Sequence, residues 1–314
     1  MKRLLLALVA TATVAFSETY HFVAVTKSTH SPYWDVVKSG VAKAQAEFKA
    51  KGTLIDVQWV APDNESDYPT QVKMVEAAVA SKTQGIILAP CDARALSAPV
   101  KAATQAGIPV VVIDSALTSS GQISFIATDN YNGGVLAAYR LVSLLNGKGK
   151  VVLFRSYKGS GATEGRERGF IDTLQRFPGI HLIKENFYAG GTYAGSEKNA
   201  ADMLAKCGPS LNGIFACNDI ANHGALDALR KAGEAAGKVK LVGFDASNET
   251  IAALRSGDEQ GTIVQNPAKM GYLAIESLVD HLRGQPVSSV VDTGCTGVTP
   301  DNLANPAIVA LISH

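Results

Sequence analysis

The chain has 314 residues, 46% of them hydrophobic and 18% charged, and a formal net charge of +1. That length can bury two sizeable cores, the balance excludes a disordered chain, and near-neutrality lends no support to a nucleic-acid partner. The four cysteines, Cys91, Cys207, Cys217 and Cys295, make no C-x-x-C pair. An oxidising compartment allows them one bridge, and free, half-buried thiols are the default reading.

In chain order, the first signal is Met1-Lys2-Arg3 followed by the apolar run 4–16 and the small residues Ala15 and Ser17. This is the pattern of a secretory signal cleaved near Ser17 and Glu18. The run is short for a membrane anchor and lacks a stop-transfer pattern. No cysteine stands at the cleavage point to take a lipid. The chain is therefore expected to be exported.

Beyond it, β-rich runs alternate with helical patterns. Strands are expected at 20–25, 54–60, 85–90, 109–114, 123–128, 150–155, 180–185, 213–219, 239–245 and 261–265. Several are unbroken aliphatic runs, as in strands buried on both faces of a parallel sheet. Val37, Val41, Ala44 and Phe48 form one helical stripe, and Tyr68, Val72, Val75 and Val79 another. Ser31 reads as an N-cap with Pro32 at the first helical position. Gly107 closes a helix just before the strand that begins at Pro109. The repeated β-α order predicts doubly wound parallel sheets. Ten strands are too many for one small sheet. Two halves fit better, from about residue 18 to the 120s and from about 128 to the 260s, connected by crossing segments across a cleft.

In such sheets ligands sit beyond the carboxyl ends of the strands. Those ends carry residues 27–34, then Asp92, Asp114 with Ser115, Asn218 with Asp219, Asp245 and Gln265. With Arg166 and the adjacent Tyr33 and Trp34, they suit a polyhydroxylated ligand. Carboxylates and amides bridge hydroxyls, a guanidinium donates in a fixed fork, and an aromatic ring covers the apolar face of a sugar. Each member also has a plainer reading. The aromatic pair can plug a helix–sheet gap, Asp114, Asp245 and Asn218 can cap helices or turns, and Arg166 can be solvated.

Catalytic readings fare worse. The glycine-rich stretch 159–165 lacks a phosphate-binding Lys-Ser/Thr ending, no dinucleotide fingerprint follows the first strand, and there is no G-x-S-x-G elbow. The six histidines, His30 near the supposed cleft among them, show no zincin spacing. A hydrolytic pair of cleft carboxylates is the one catalytic alternative. No catalytic residue, metal site or cofactor is expected.

The stretches SPYW, VVVIDS, IATDN, GRERGF, FACND, LVGFD and IVQNP occur in this order, with DTGCTGVTPDNL near the end. From about Tyr20 onward the chain resembles the ribose-binding branch of periplasmic sugar-binding proteins, solute receptors of ABC transporters. The same fold forms the effector core of LacI-type repressors, which carry a DNA-binding segment where this chain has its export signal. The resemblance implies a type I periplasmic binding fold: signal 1–17, an N-terminal lobe of 18–127 plus 266–292, and a C-terminal lobe of 128–265 plus 293–314. It implies a monomer that closes about hinge segments near 127–129, 265–266 and 291–293, and delivers a monosaccharide or polyol to a permease. A chemoreceptor or sensor kinase is an alternative partner, and a furanosyl signalling compound an alternative ligand. The family's ligand contacts map onto Ser31, Tyr33, Trp34, Asp114, Arg166, Asn218, Asp245 and Gln265. The chain departs from the ribose receptors at three places. Lys27 replaces a small hydroxyl residue, Ser115 replaces an arginine, and the aromatic expected before GSEKNA is represented only by a slightly displaced Tyr193. Both Lys27 and Ser115 are thereby ligand-binding candidates. A Lys27 paired with Asp114 keeps the pocket near neutral and favours a neutral ligand; an unpaired Lys27 favours an acidic or phosphorylated one.

Overall fold

The computed structural model describes residues 18–119 and 121–313; the signal expected at 1–17 lies outside the described residues. The first half runs β1 (Glu18–Val25), α1 (Pro32–Ala50), β2 (Thr53–Val60), α2 (Tyr68–Ala80), β3 (Gly85–Leu88), α3 (Ser97–Gln105), β4 (Val110–Ile113) and β5 (Ser124–Ala127). Then come α4 (Asn130–Leu144), β6 (Gly149–Arg155), α5 (Gly161–Leu174), β7 (Ile180–Leu182), β8 (Phe187–Tyr188), α6 (Tyr193–Cys207), β9 (Leu211–Ala216) and α7 (Asp219–Ala232). The chain finishes with β10 (Lys240–Phe244), α8 (Asn248–Ser256), β11 (Gly261–Gln265), α9 (Pro267–Leu282), β12 (Val290–Asp292), β13 (Cys295–Val298) and α10 (Pro306–Ile312).

These strands form two sheets. The first, ordered β12-β5-β4-β3-β1-β2, is parallel throughout. The second is ordered β13-β11-β10-β9-β6-β7 with β8 also on β6, and only β13 runs antiparallel. Every residue of β3 and β4 is buried, which is why their sequences are unbroken aliphatic runs. Register aligns the strand ends: Val25 lies opposite both Val60 and Leu88, and Leu88 opposite Val112. The loops after β1, β2, β3 and β4 therefore leave from one edge. The chain passes between the sheets three times, after β5, after β11 and between β12 and β13. The first and third crossings are tied together, since Asp129 N donates to Asp292 Oδ1 at 3.1 Å and Thr128 Oγ1 to the Gly294 carbonyl at 3.2 Å.

The expected helical stripes face the cores. Val37, Val41 and Ala44 are buried under the first sheet, with Phe48 at the margin. Val75 is buried, Val72 and Val79 partly so, and Tyr68 is exposed. Helix α1 lies against α9 closely enough that a Cβ at Gly40 would come 1.8 Å from the Ala268 carbonyl oxygen. Ser31 caps α1 by accepting from Tyr33 N at 3.3 Å, with Pro32 in the first turn.

The expected strand 213–219 is β9, which ends at Ala216, with Asn218 and Asp219 opening α7; one other strand expectation changes, and unexpected short strands appear. The run 180–185 ends as a strand at Leu182, and β8 follows separately; Glu185 turns to solvent and pairs with Lys206 at 3.3 Å. The short strands β12 and β13 carry no alternation that reads as a strand from sequence, and β12 is largely exposed. Among the described residues all four cysteines are free, with Cys91 and Cys217 buried. No helix among them is long and apolar enough to cross a membrane.

Candidate functional site: a polar cavity between the two sheets

The loop after β1 carries Lys27, 5% exposed, into the space between the sheets. Its ammonium lies 2.6 Å from Asp114 Oδ2 and donates to Ser115 Oγ, also at 2.6 Å. The Ser115 hydroxyl in turn donates to Asp114 Oδ2 at 2.9 Å. Asp114, at the end of β4, has φ of 63°, a left-handed conformation that non-glycine residues seldom adopt. Burial pushes its pKa up. The charges of Lys27 and Arg166, with hydrogen bonds from Lys27 and Ser115, more than offset this and hold it below the ordinary carboxylate value.

The first turn of α1 supplies the aromatic wall. Tyr33 and Trp34 meet edge to face, with ring centroids 5.0 Å apart. The Tyr33 hydroxyl donates to Asp114 Oδ1 at 3.2 Å, while Trp34 also belongs to the buried core of the first sheet. The plug and the wall are thus combined: Trp34 fills the core and reaches the cavity, and Tyr33 is held against the ion pair.

The second sheet answers from across the gap. The Arg166 guanidinium, on α5, stacks on Phe244 at 3.6 Å from the ring centroid. It donates to Asn130 Oδ1 at 2.8 Å and to the Cys217 carbonyl at 2.9 Å. Asn130 reaches back to the Asp114 carbonyl at 3.3 Å, which links the two sides. Asn218 caps α7 by accepting from Ala221 N at 3.1 Å, so its capping reading holds while it also lines the cavity. Asp245, again left-handed with φ of 74°, accepts from Gln265 Nε2 at 2.7 Å and from Asp219 N at 3.3 Å. It is not the N-cap of α8, which is Ser247, but it does accept from the first amide of α7. Burial raises the Asp245 pKa, against the pull of Arg166.

Nine of the ten candidates, Lys27, Ser31, Tyr33, Trp34, Asp114, Arg166, Asn218, Asp245 and Gln265, line one cavity. Ser115 is the exception. It is fully buried behind the Lys27–Asp114 pair and braces both members. The structure adds Asn130 and Glu65, to which the sequence gave no role, and brings in Asp219, which the sequence placed only at a strand end. Asn130 joins the two sides as described. Asp219, which accepts a short hydrogen bond from the Tyr193 hydroxyl, is pushed up to about 6 by burial despite that bond. Glu65, on the loop after β2, lines the cavity and is pushed up to about 7 by burial against the field of Lys27. Nothing in its sequence neighbourhood distinguishes Glu65 from a solvated loop acid. Tyr193, at the start of α6, stands edge to face with His223 at 5.0 Å and does not line the cavity.

The two sides touch around the cavity: Glu65 N donates to the Gly191 carbonyl at 3.2 Å, and Ala93 N to the Gly159 carbonyl at 2.8 Å. The cavity itself is only about 30 Å³, and it shares Tyr33, Asp219, Asp245 and Gln265 with a chamber of about 300 Å³ beside it. Chemically the site offers fixed donors and acceptors against an aromatic wall. Asp114, held ionised by Lys27, has no proton to give a leaving group, which removes it as a general acid.

A family model described as the periplasmic binding protein domain matches residues 22–286. A ribose import binding protein of Bacillus subtilis is 26% identical over 83% of this chain and 81% of its own length. A xylitol-binding protein of Mycolicibacterium smegmatis is also 26% identical, over 81% of this chain and 71% of its own. Among solved structures, a carbohydrate-transporter solute-binding protein from Agrobacterium radiobacter in complex with D-arabinose superposes with a TM-score of 0.88. It is 32% identical, with 95% of this chain and 100% of that one covered. An ABC-transporter solute-binding protein from Agrobacterium vitis with bound D-fucose gives 0.88 at 31% identity, covering 93% and 99%. All four are named as binding proteins, three of them of import or transport systems, and none as an enzyme.

Proposed function

We propose, for a chain that belongs to the periplasmic binding protein domain family, that it captures a neutral monosaccharide or polyol between its two lobes and delivers it to an ABC permease. The observation that carries this is the Lys27–Asp114 pair, whose 2.6 Å separation neutralises the Lys27 ammonium, a cation that unpaired would invite an acidic ligand. The sugars and sugar alcohol named for the relatives, ribose, xylitol, D-arabinose and D-fucose, support the ligand class. In this reading the chain is exported to the periplasm, and its lobes are 18–127 with 266–292 and 128–265 with 293–314. The three crossings act as the hinge.

The mechanism is capture by closure, with no bond made or broken. Tyr33, Trp34 and Asp114 contact the ligand from one lobe, and Arg166, Asn218, Asp245 and Gln265 from the other. Only the closed form makes both sets of contacts, which gives the differential affinity a population shift requires. The 30 Å³ cavity is too small to admit a ring without the lobes parting, so opening precedes binding. The edge contacts at Gly191 and Gly159 are those that release.

The test is a thermal-shift panel of pentoses, hexoses, polyols and sugar acids on the mature chain, followed by solution scattering with the best ligand. A ligand at a hundred times its Kd should stabilise the protein by about 2.7 kcal/mol, and scattering should show compaction. A response confined to sugar acids would overturn the neutral-ligand reading. A tight ligand without compaction would overturn closure.

A further inference from the structure

Three buried residues that line the cavity, Glu65, Trp34 and Ser160, together with Tyr157 beside Ser160, have polar chemistry that the contacts above leave unused. Glu65 is 8% exposed and lines the cavity. The Trp34 indole N–H lies beside that carboxylate, itself buried and without a partner. From the opposite lobe, on the loop between β6 and α5, come the Tyr157 and Ser160 hydroxyls. They stand next to each other, both buried and both unpaired, with the phenol in the field of Glu65 and Asp114. A single orphaned buried polar group costs about 1–3 kcal/mol, so three of them, on Trp34, Tyr157 and Ser160, grouped with Glu65 at the ligand cavity point to a partner that arrives with the ligand.

We propose that Glu65, Trp34, Tyr157 and Ser160 form a hydroxyl-reading subsite, assembled from both lobes, that recognises one end of the ligand. This rests on the sugar or polyol reading of the cavity and extends it. The donor inventory selects the group. The indole N–H can only donate and the Glu65 carboxylate, in its ionised form, can only accept. A hydroxyl does both at once, accepting from Trp34 and donating to Glu65. An ammonium only donates and leaves the indole unmatched. A carboxylate or phosphate only accepts and meets the charges of Glu65 and Asp114. Glu65 and Trp34 belong to the first side and Tyr157 and Ser160 to the second, so the subsite is complete only when the lobes meet.

The experiment is titration calorimetry on the full mature chain with ribose, D-arabinose, D-fucose and xylitol, then with mono-deoxy analogues and an amino-for-hydroxyl analogue of the best binder. The variants are Glu65→Gln, Tyr157→Phe and Ser160→Ala, each with its melting temperature recorded. Glu65→Gln should bind at least tenfold more weakly and Tyr157→Phe several-fold more weakly. The decisive readout is the cycle with the analogues: for the one lacking the hydroxyl held here, wild type and Glu65→Gln should bind equally, a convergence that a merely structural role does not produce. The inference is overturned if Glu65→Gln, Tyr157→Phe and Ser160→Ala all bind within twofold of wild type. It is also overturned if the Glu65→Gln loss is the same for every analogue, or if the amino analogue binds more tightly than its parent. Wild-type protein that binds no member of the panel would instead overturn the sugar reading on which the subsite depends.

Discussion

Replacing Lys27 with Met removes an ammonium 2.6 Å from Asp114 while keeping most of the side-chain volume. Both members are 6% exposed at the side chain, so the vacated carboxylate is left in the interior with Arg166 as the remaining nearby cation. Breaking a buried pair in this way costs about 3–5 kcal/mol, because the surviving charge is uncompensated. For a chain of this size that corresponds to a fall in Tm of order 10 °C. The pH dependence follows from the sign of the shift. In the wild type the Asp114 pKa is lowered, so its stabilisation is present above the unfolded value near 3.9 and is lost as pH falls through the folded value. In Lys27→Met, burial is left to raise the Asp114 pKa; the protonated acid is tolerated at low pH, and stability falls as pH rises through the new value. The gap between the two proteins should therefore be small near pH 4 and grow toward pH 7. Thermal melts from pH 4 to 8 measure it, and Lys27→Met combined with Asp114→Leu should recover most of the loss at neutral pH. A loss below about 1 kcal/mol, or one that does not change with pH, would refute the claim that this pair neutralises the cavity.

Gly40→Ala drives a Cβ to 1.8 Å from the Ala268 carbonyl; the helices must separate, and the urea midpoint should fall by the equivalent of about 1–3 kcal/mol with an unchanged slope. Glu259 is fully buried, takes one hydrogen bond from Asn222 at 3.0 Å, and is pushed up to about 8 by burial. Its folded pKa is raised, so its stabilisation is present below the unfolded value near 4.3 and is lost as pH rises toward 8. Melts between pH 5 and 8 should accordingly decline more steeply for the wild type than for Glu259→Gln, and parallel curves would contradict the assignment. Arg166→Lys cannot both stack on Phe244 and donate to Asn130 and Cys217; sugar affinity by calorimetry should drop about 10–100-fold, or about 1.4–2.8 kcal/mol.

Much of the fold was legible because its determinants are local. Unbroken Val and Ile runs announce strands buried on both faces, the 3.6-residue stripe announces α1, and Ser31-Pro32 announces where it starts. Strand ends in a doubly wound sheet point to one edge, so listing the polar residues there found Lys27, Asp114, Asn218, Asp245 and Gln265 before any contact was known. The short strands β8, β12 and β13 escaped because two to four residues, partly exposed, carry no periodicity to read.

The sequence by itself therefore determined the long strands and helices, the start of α1 and the candidate residues, since each depends on side chains within a few positions of one another. Tertiary structure alone decided what those residues do. Lys27 meets Ser115 across 88 positions, and whether an ammonium in a pocket is free or paired depends on the packing of β1 against β3 and β4. The same packing turned Ser115 away from the cavity. It also brought an ordinary-looking loop acid, Glu65, into the interior, where burial rather than any motif sets its character. Burial and through-space charge are properties of segments brought together by folding, and no short stretch of the chain contains them.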